Sequence, residues 1–278
     1  MLENDEIGPQ NRSFNDETAC DKEASQNGND TSENESPFSA DLEDKATKVL
    51  SAVNKILDSN DKIRSVCNKY KRRALIEVDE DCETEKDLFM EAGKRIITHY
   101  SDRAGITGGV TGLPSMIPGI GSVISLVGSS AVDIVLMLKF EIEMSLCLCH
   151  LTGLNIDEDR NRQLAYYLAT ASSREILSQN NNSQSHNIIK SAAVDYSVRE
   201  LSKLVIKNIT AILLVNLSRG MMKAVPFLGI AVGASVNKVM TKRSGLVCLD
   251  AWWLRRHLPI ENASDNSDDI VYDAEILD

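Results

Sequence analysis

Cys147, Cys149 and His150 lie within four positions of one another and are the chain's best candidates for binding a metal ion. On a helix the two cysteine side chains would point about 200° apart, so one helix does not close a tetrahedral zinc site. No second Cys/His pair stands at ligand spacing. The four further cysteines are scattered along the chain: Cys20, Cys67, Cys82 and Cys248. The sequence therefore predicts buried thiols and no metal site.

Two common catalytic motifs are absent from the sequence. A P-loop needs the pattern Gly-x-x-x-x-Gly-Lys-Ser/Thr, and the glycine-rich stretch 105–128 contains no lysine. The nucleophile motif Gly-x-Ser-x-Gly is also missing. The four histidines are widely spaced: His99, His150, His186 and His257. We therefore expect a protein that is not an enzyme and that binds no cofactor.

Basic residues form three candidate surface patches that could contact a membrane. They are Lys69 with Lys71, Arg72 and Arg73; Lys238 with Lys242 and Arg243; and Arg255 with Arg256 beside Trp252 and Trp253. A tryptophan beside arginine suits a membrane interface, because the ring spans the apolar boundary while arginine meets lipid phosphate. The alternative is a core tryptophan on a terminal helix with solvated arginines. No nucleic-acid recognition motif accompanies these charges, so nucleic acid is not an expected partner.

The charge of −11 over 278 residues is unevenly distributed. Residues 1–44 carry −11 and residues 261–278 carry −7, which leaves +7 on residues 45–260. A basic body between acidic tails favours contact with anionic surfaces. Residues 1–40 and 261–278 are predicted to be disordered acidic tails around a helical domain, 41–260. The start of the chain lacks the basic and apolar segments of a secretory signal, so we expect an intracellular location.

The apolar spacing of three and four residues predicts an all-α fold. Asp41 or Ser39 is the expected cap of the first helix, Asp61 of the second and Thr84 of the third, and Asn155 and Asp157 are offered as caps of a later one. Continuous helical patterns run from 122 to 151 and from 188 to 217, on either side of a polar linker at 179–185. No sustained alternation of period two appears, so no sheet is expected.

Residues 104–132 contain no formal charge, and their first part is rich in glycine and proline. Each interior glycine costs a helix about 1 kcal/mol and each proline about 3 kcal/mol, so 105–121 is predicted to be an irregular, tightly packed apolar hairpin. Residues 122–138 are too short for a membrane span of about 20 residues and contain Asp133, which would cost about 3 kcal/mol at the bilayer centre. A buried core helix is favoured, and a hairpin with two short arms across 104–138 is the alternative.

Part of this pattern recurs near the end of the chain. Ile-Pro-Gly-Ile-Gly at 117–121 and Val-Pro-Phe-Leu-Gly at 225–229 are both followed by helices with small residues at four-residue spacing. Small residues at that spacing let two helix backbones approach closely. The sequence therefore predicts a second apolar hairpin at 225–237 and a crossing of the two segments.

These two segments resemble the central part of EcsC-family proteins over roughly residues 85–255. The residues that carry the resemblance are Gly108, Gly112, Pro114, Pro118, Gly121, Asp133, Gly153, Pro226, Gly229, Gly233 and Asn237. The resemblance implies an α-helical, membrane-associated protein without established catalytic activity. The chain departs from the family pattern in its long acidic N-terminus and in Thr152-Gly153, where a Tyr-Gly pair is common.

The leading functional prediction is a non-enzymatic helical protein that associates with the cytosolic face of a membrane through anionic lipid. The alternative is a soluble adaptor whose helical domain docks onto an ABC transporter or a membrane GTPase while its acidic tails recruit partners. Ile270, Val271 and Tyr272 form a short apolar segment in the C-terminal tail that an adaptor could use. The sequence does not predict an oligomeric state.

Overall fold

The computed structural model describes residues 37–77, 84–108, 119–128, 131–178, 183–192, 194–220 and 229–258. Within these ranges the chain forms nine helices and no strand, so the all-α prediction is confirmed. The helices are α1 Pro37–Ile56, α2 Asn60–Glu77, α3 Glu85–Gly108, α4 Ile120–Val127, α5 Val132–Leu151, α6 Asp159–Ser178, α7 Ser183–Ser191, α8 Val198–Gly220 and α9 Gly229–His257. The predicted acidic tails lie almost wholly outside the described residues, and α1 begins four residues before the expected domain start at 41.

Helix α5 forms the centre of the domain. Sixteen of its 20 residues are buried, because α1, α2, α3, α6 and α9 all pack against it. A helix that is apolar nearly all round needs such a position, since no face of it is suited to water. The core-helix interpretation of this segment therefore agrees with its packing.

Helices α3 and α9 run antiparallel and in close contact. Arg256 pairs with Glu85 at one end of the helix pair, and Lys238 Nζ lies 2.7 Å from Asp102 Oδ1 towards the other. The close approach depends on Gly245, where an added Cβ would lie 2.8 Å from a side-chain atom of Ile97. Contacts this short are not accommodated without movement of the neighbours, so glycine at this position sets the spacing between the helices.

The helix starts agree with the sequence in one case and differ in others. Thr84 caps α3 as predicted, because its Oγ1 accepts from Asp87 N at 3.2 Å. The predicted cap Asp61 is wrong: it lies within α2, and Ser59 precedes the helix and accepts from Lys62 N at 3.4 Å. Asp157 does not start α6 either, since its carboxylate contacts Arg64 of α2.

Two segments predicted as continuous helices are broken. The first breaks at Gly128, which adopts a φ of +75° that favours glycine, and α4 and α5 meet at 118°. The second breaks between α7 and α8, where Ser197 Oγ accepts from Glu200 N at 3.2 Å and caps α8. Helix α7 also begins at Ser183, inside the predicted polar linker. In both cases the apolar spacing continues across the break, so periodicity alone did not reveal it.

The predicted irregular hairpin at 105–121 is described only at its ends. Helix α3 continues through Gly105 to Gly108, and α4 begins at Ile120, so both ends are more helical than expected. Residues 109–118 lie outside the described residues, as do residues 225–228 of the second predicted hairpin, whereas its residues 229–237 belong to α9. The predicted crossing of the two segments also falls on this part of the chain.

Among the described residues, no single helix has the length and apolar composition of a membrane span. Helices α4 and α5 reach that length and composition only together, across their 118° bend.

Candidate functional site

Basic side chains of three neighbouring helices lie along one surface, which we call the basic band. Helix α3 runs between the other two helices: Tyr70 of α2 reaches His99, with 3.1 Å between Tyr70 Oη and His99 Nδ1, and Lys238 of α9 reaches Asp102. The members of the basic band are Lys69 and Arg73 of α2, Arg95 and Arg103 of α3, and Lys238 and Lys242 of α9. The basic band therefore combines bases of the consecutive helices α2 and α3 with bases of α9, which is distant in sequence.

A cleft of about 310 Å³ lies within the basic band, where α2 faces α3. We call it the Tyr70–His99 cleft. Arg95, His99 and Arg103 are spaced four residues apart, so they lie on the same face of α3. The lining residues are Tyr70, Arg95, Thr98, His99, Asp102 and Arg103.

The electrostatics of the cleft are dominated by cations. Burial lowers the pKa of His99, and the nearby charges of Arg103 and Lys69 lower it further. Lys69 Nζ lies 5.5 Å and Arg73 Cζ 5.8 Å from the centre of the Tyr70 ring. A lowered pKa leaves the imidazole of His99 neutral at pH 7, so it adds hydrogen-bonding capacity without further positive charge.

Two acidic groups in or beside the cleft already contact cations. Asp102 accepts the ammonium group of Lys238, and Glu91 Oε1 lies 2.9 Å from Arg95 Nε. These acids therefore offset part of the positive charge, while Lys69, Arg73 and Lys242 extend the basic band on exposed surface.

Large aliphatic side chains stand exposed beside these bases. Ile106, one turn beyond Arg103 on α3, is 63% exposed, and Val239, next to Lys238 on α9, is 50% exposed. Ile76 is 81% exposed at the end of α2. Surfaces that contact lipid headgroups and acyl chains together typically combine exposed aliphatic side chains with bases.

The sequence-predicted interface residues fall into two groups. The bases of α2 and of the middle of α9 are exposed: Lys71, Arg72, Arg73, Lys242 and Arg243. The group at the end of α9 is different, because Trp252 is fully buried and its Nε1 donates to Ser145 Oγ at 3.2 Å. Trp252 is therefore a core residue, and the prediction that placed its ring at a membrane interface needs correction.

The neighbours of Trp252 are also occupied by contacts within the domain. The ring of Trp253 is half-buried, with its centre 5.1 Å from that of Phe89. Arg256 pairs with Glu85, and Arg255, whose side chain is only 13% exposed, lies 3.8 Å from Asp195. An aromatic contact and ion pairs thus hold the end of α9 against the rest of the domain, and these arginines are not simply solvated.

The residues that carry the family resemblance are only partly described. Gly112, Pro114, Pro118 and Pro226 lie outside the described residues. Gly108 ends α3, Gly229 and Gly233 belong to α9, Asn237 is half-buried, and Asp133 is exposed in the first turn of α5.

Two glycines of the resemblance have roles that can be read from the backbone. Gly153 follows the end of α5 with a φ of +94°, and its N–H donates to His150 O at 3.0 Å, as is common where glycine ends a helix. Gly121 was expected to provide a close helix contact. It is exposed, and no described atom lies within 4 Å of the position that a Cβ would occupy, so close packing does not explain this glycine.

Three charged residues at the centre of α5 are buried and were not predicted as functional or core residues: Lys139, Glu141 and Glu143. Lys139 Nζ lies 2.6 Å from Glu143 Oε1, which also accepts from Asp58 N at 2.7 Å. Burial raises the pKa of Glu143, and Lys139 opposes that rise. The sequence did contain a sign of these contacts, because charged residues in the middle of an otherwise apolar helix must find polar partners when the helix is buried.

Glu141 lies on the other side of α5. Ser173 of α6 donates to Glu141 Oε2, whereas Glu141 Oε1 is buried without a hydrogen-bond partner among the described residues. Burial raises the pKa of Glu141 to about 8. This carboxyl group is enclosed in the core, so we assign it to the core and not to a ligand site.

The cysteines within the described ranges are free and buried: Cys67, Cys147, Cys149 and Cys248. Burial raises the pKa of each of the last three, which makes the reactive thiolate scarce at neutral pH. In the part of the chain that the structure describes, no group of three or more His, Cys, Asp or Glu side chains could hold a metal ion.

A second cleft, of about 410 Å³, lies where α1 meets α2 and is lined mostly by polar residues. Its charged groups pair with one another or with neighbours: Arg64 contacts Asp61 and Asp157, and Lys62 contacts Asp58. Three acids and two arginines line this cleft, and the neighbouring Lys62 pairs with Asp58, so most of its charges are already compensated.

No family model, curated protein or solved structure matches this chain. The resemblance to EcsC-family proteins stays a prediction.

Proposed function

We propose that this protein binds the anionic, cytosolic surface of a membrane through the basic band, without catalysing a reaction, in an accessory role like that implied by the EcsC resemblance. The observation that carries the proposal is the grouping of bases from α2, α3 and α9 around the Tyr70–His99 cleft and the Lys238–Asp102 ion pair. Each lysine or arginine held near an anionic membrane contributes about 1 kcal/mol of attraction. The three most exposed bases that make no described ion pair, Lys69, Arg73 and Lys242, would together supply about 3 kcal/mol, which supports reversible surface binding.

Exposed aliphatic side chains add a second contribution. Ile106 and Val239 stand beside the two residues of the Lys238–Asp102 ion pair. Their insertion between headgroups would bury apolar surface at about 25 cal/mol per Å². Electrostatic attraction and shallow insertion together describe a protein that lies on the membrane surface.

The proposal is tested by flotation of the full chain with vesicles of neutral lipid, alone or mixed with an anionic phospholipid, at low and high salt. We expect flotation with the anionic vesicles at low salt and its loss at high salt, because salt screens exposed charges. Protein that stays at the bottom of the gradient with anionic vesicles at low salt would contradict the proposal.

A charge-matched pair of variants assigns the binding to the basic band. The triple variant Lys69→Gln, Arg73→Gln, Lys242→Gln removes three bases from the band, and Lys45→Gln, Lys48→Gln, Lys55→Gln removes three exposed bases from α1. At about 1 kcal/mol per base, we expect the first triple variant to bind about 100-fold more weakly and the second to bind almost as wild type. Equal weakening would mean that net charge alone controls binding.

A further inference from the structure

We propose that the Tyr70–His99 cleft is a binding site for a phosphomonoester group, presented by a membrane lipid whose phosphate is terminal. The proposal rests on the proposed function for the source of the ligand, whereas the cleft's preference for phosphate rests on its own geometry. Such a site would recognise one type of lipid headgroup, in addition to the general attraction between the basic band and anionic lipid.

The first argument is the arrangement of arginines. Arg95 and Arg103 are separated by two turns of α3, about 12 Å along the helix axis, and both line the cleft. Arginine presents a planar fork of N–H donors that matches two phosphate oxygens, which an ammonium group does not. Guanidinium groups therefore stand at both ends of the α3 wall, and because Arg95 Nε already donates to Glu91 Oε1 at 2.9 Å, a bound phosphate would share or replace existing contacts of these groups.

The second argument is the charge around the cleft. Lys69 and Arg73 of α2 lie beside the cleft, 5.5 and 5.8 Å from the centre of the Tyr70 ring that forms part of its wall. One acid lines the cleft, Asp102, and it is held by Lys238. A phosphomonoester carries nearly two negative charges at pH 7, so it gains more from this surplus of cations than a singly charged phosphodiester does.

The third argument is the size and chemistry of the lining. A volume of about 310 Å³ accommodates a phosphate with part of its headgroup but not an extended polymer. The rings of Tyr70 and His99 form one wall, and their centres lie 5.3 Å apart. A neutral, partly apolar wall facing cationic donors is common in small-ligand sites, where a few polar groups determine orientation.

His99 provides a direct readout, because cations lower its pKa in the empty cleft. A bound phosphate would oppose those cations and raise the pKa of His99, because a nearby negative charge favours the protonated imidazole. The titratable and charged groups around His99 are Lys69, Tyr70 and Arg73 of α2, Arg95, Tyr100, Asp102 and Arg103 of α3, and Lys238 of α9.

The first experiment follows the His99 ring resonances of the full chain by NMR during pH titrations with and without inorganic phosphate. Chloride at matched ionic strength is the control. We expect the pKa of His99 to rise with phosphate and to stay unchanged with chloride. An equal response to both salts would overturn the proposal, because the cleft would then respond only to ionic strength.

The second experiment compares vesicles that contain phosphatidic acid, whose phosphate is a monoester, with phosphatidylglycerol vesicles of equal surface charge. We expect at least about tenfold tighter binding to phosphatidic acid. Arg103→Gln is expected to remove this preference, and Arg103→Lys to restore little of it, because lysine keeps the charge but loses the fork. Arg199→Gln, on the exposed surface of α8, is the matched control.

The outcomes separate this inference from the proposed function. Equal binding to both vesicles, with no phosphate effect on His99, would overturn the inference and leave the membrane proposal standing. A phosphate effect on His99 without vesicle binding would support the cleft and identify soluble phosphate as its ligand, while contradicting the membrane proposal. Unchanged thermal unfolding of the Arg103 variants would show that any lost preference is not a loss of fold.

Discussion

Glu141 and Glu143 are two buried glutamates of the same helix, and their surroundings differ. Because they are two residues apart on α5, they point about 200° from one another. Glu143 contacts Lys139 of the same helix and accepts from Asp58 N in the loop between α1 and α2, whereas Glu141 faces α6, where Ser173 is its hydrogen-bond partner. The comparison shows two ways in which one helix keeps a carboxyl group in an apolar core.

On the Glu143 side the opposing charge is supplied by the protein. Lys139 is 5% exposed, and its ammonium group also lies 4.8 Å from the centre of the Phe140 ring. Desolvation of both ions consumes much of the attraction between them, so the pair adds little net stability. Removal of one partner alone is costly, because the other charge is left buried.

On the Glu141 side the carboxyl group is neutralised by protonation and not by a neighbouring cation. No cation contacts this carboxylate among the described residues, and a pKa of about 8 keeps the group mostly protonated at pH 7. A neutral carboxyl avoids the cost of a buried charge but links folding to pH. The two sides of α5 should therefore respond to different perturbations.

The largest expected effect is on the Glu143 side. Lys139→Met removes the cation and leaves Glu143 buried without its charged partner, so we expect the free energy of unfolding to fall by about 3–5 kcal/mol. Equilibrium denaturation in urea measures this. The double variant Lys139→Met, Glu143→Leu should recover most of the loss, and a double variant as unstable as the single one would contradict the ion-pair interpretation.

A smaller, pH-dependent effect is expected on the Glu141 side. The pKa of Glu141 is about 8 in the folded protein and 4.5 as its ordinary value, so the folded state retains a proton that the unfolded state has lost. Stability is therefore fully present below pH 4.5 and falls as the pH rises towards 8. The slope is about 1.4 kcal/mol per pH unit, or on the order of 3 kcal/mol between pH 5.5 and 8.

The variant Glu141→Gln lacks this titration, so urea denaturation at several pH values should give a shallower decline and a variant more stable than wild type at pH 8.5. Glu43→Gln on the exposed face of α1 is the control and should follow the wild-type curve. Parallel curves for wild type and Glu141→Gln would show that Glu141 is not the linked group.

Local sequence patterns predicted the helical class and much of the surface. Apolar spacing is a local property, and it placed buried faces on most helices correctly, including Ile96, Ile97 and Tyr100 of α3. The breaks at Gly128 and before Ser197 escaped prediction, because the apolar spacing persists across them and the bend depends on what each helix packs against. The buried charges of α5 also depend on partners distant in sequence.

The candidate site was predicted only in part for the same reason. The bases of α2 and α9 stand out as short runs in the sequence, whereas Arg95, His99 and Arg103 are spread along α3 among apolar residues. Only the contact of Tyr70 with His99 shows that these residues line one cleft. Trp252 illustrates the opposite error: its proximity to arginine in sequence indicated an interface, but its indole N–H finds Ser145 inside the core.

The smallest expected effect on stability comes from the hydrogen bond between Trp252 Nε1 and Ser145 Oγ. Its contribution can be distinguished from that of Glu141 titration. Ser145 lies one turn from Glu141, and Ser145→Ala leaves the buried indole N–H of Trp252 without its acceptor. We expect a loss of about 1–2 kcal/mol, because a buried donor without a partner keeps its full desolvation cost. The loss should not depend on pH, unlike that linked to Glu141.

A double-mutant cycle with Trp252→Phe isolates this hydrogen bond. Phenylalanine has no N–H, so Ser145→Ala should cost almost nothing in the Trp252→Phe background, although Trp252→Phe itself is destabilising through lost packing volume. An equal cost of Ser145→Ala in both backgrounds would mean that Ser145 stabilises the core through packing. In that case protonation of Glu141 would contribute more to the stability of this side of α5 than the Ser145–Trp252 hydrogen bond does.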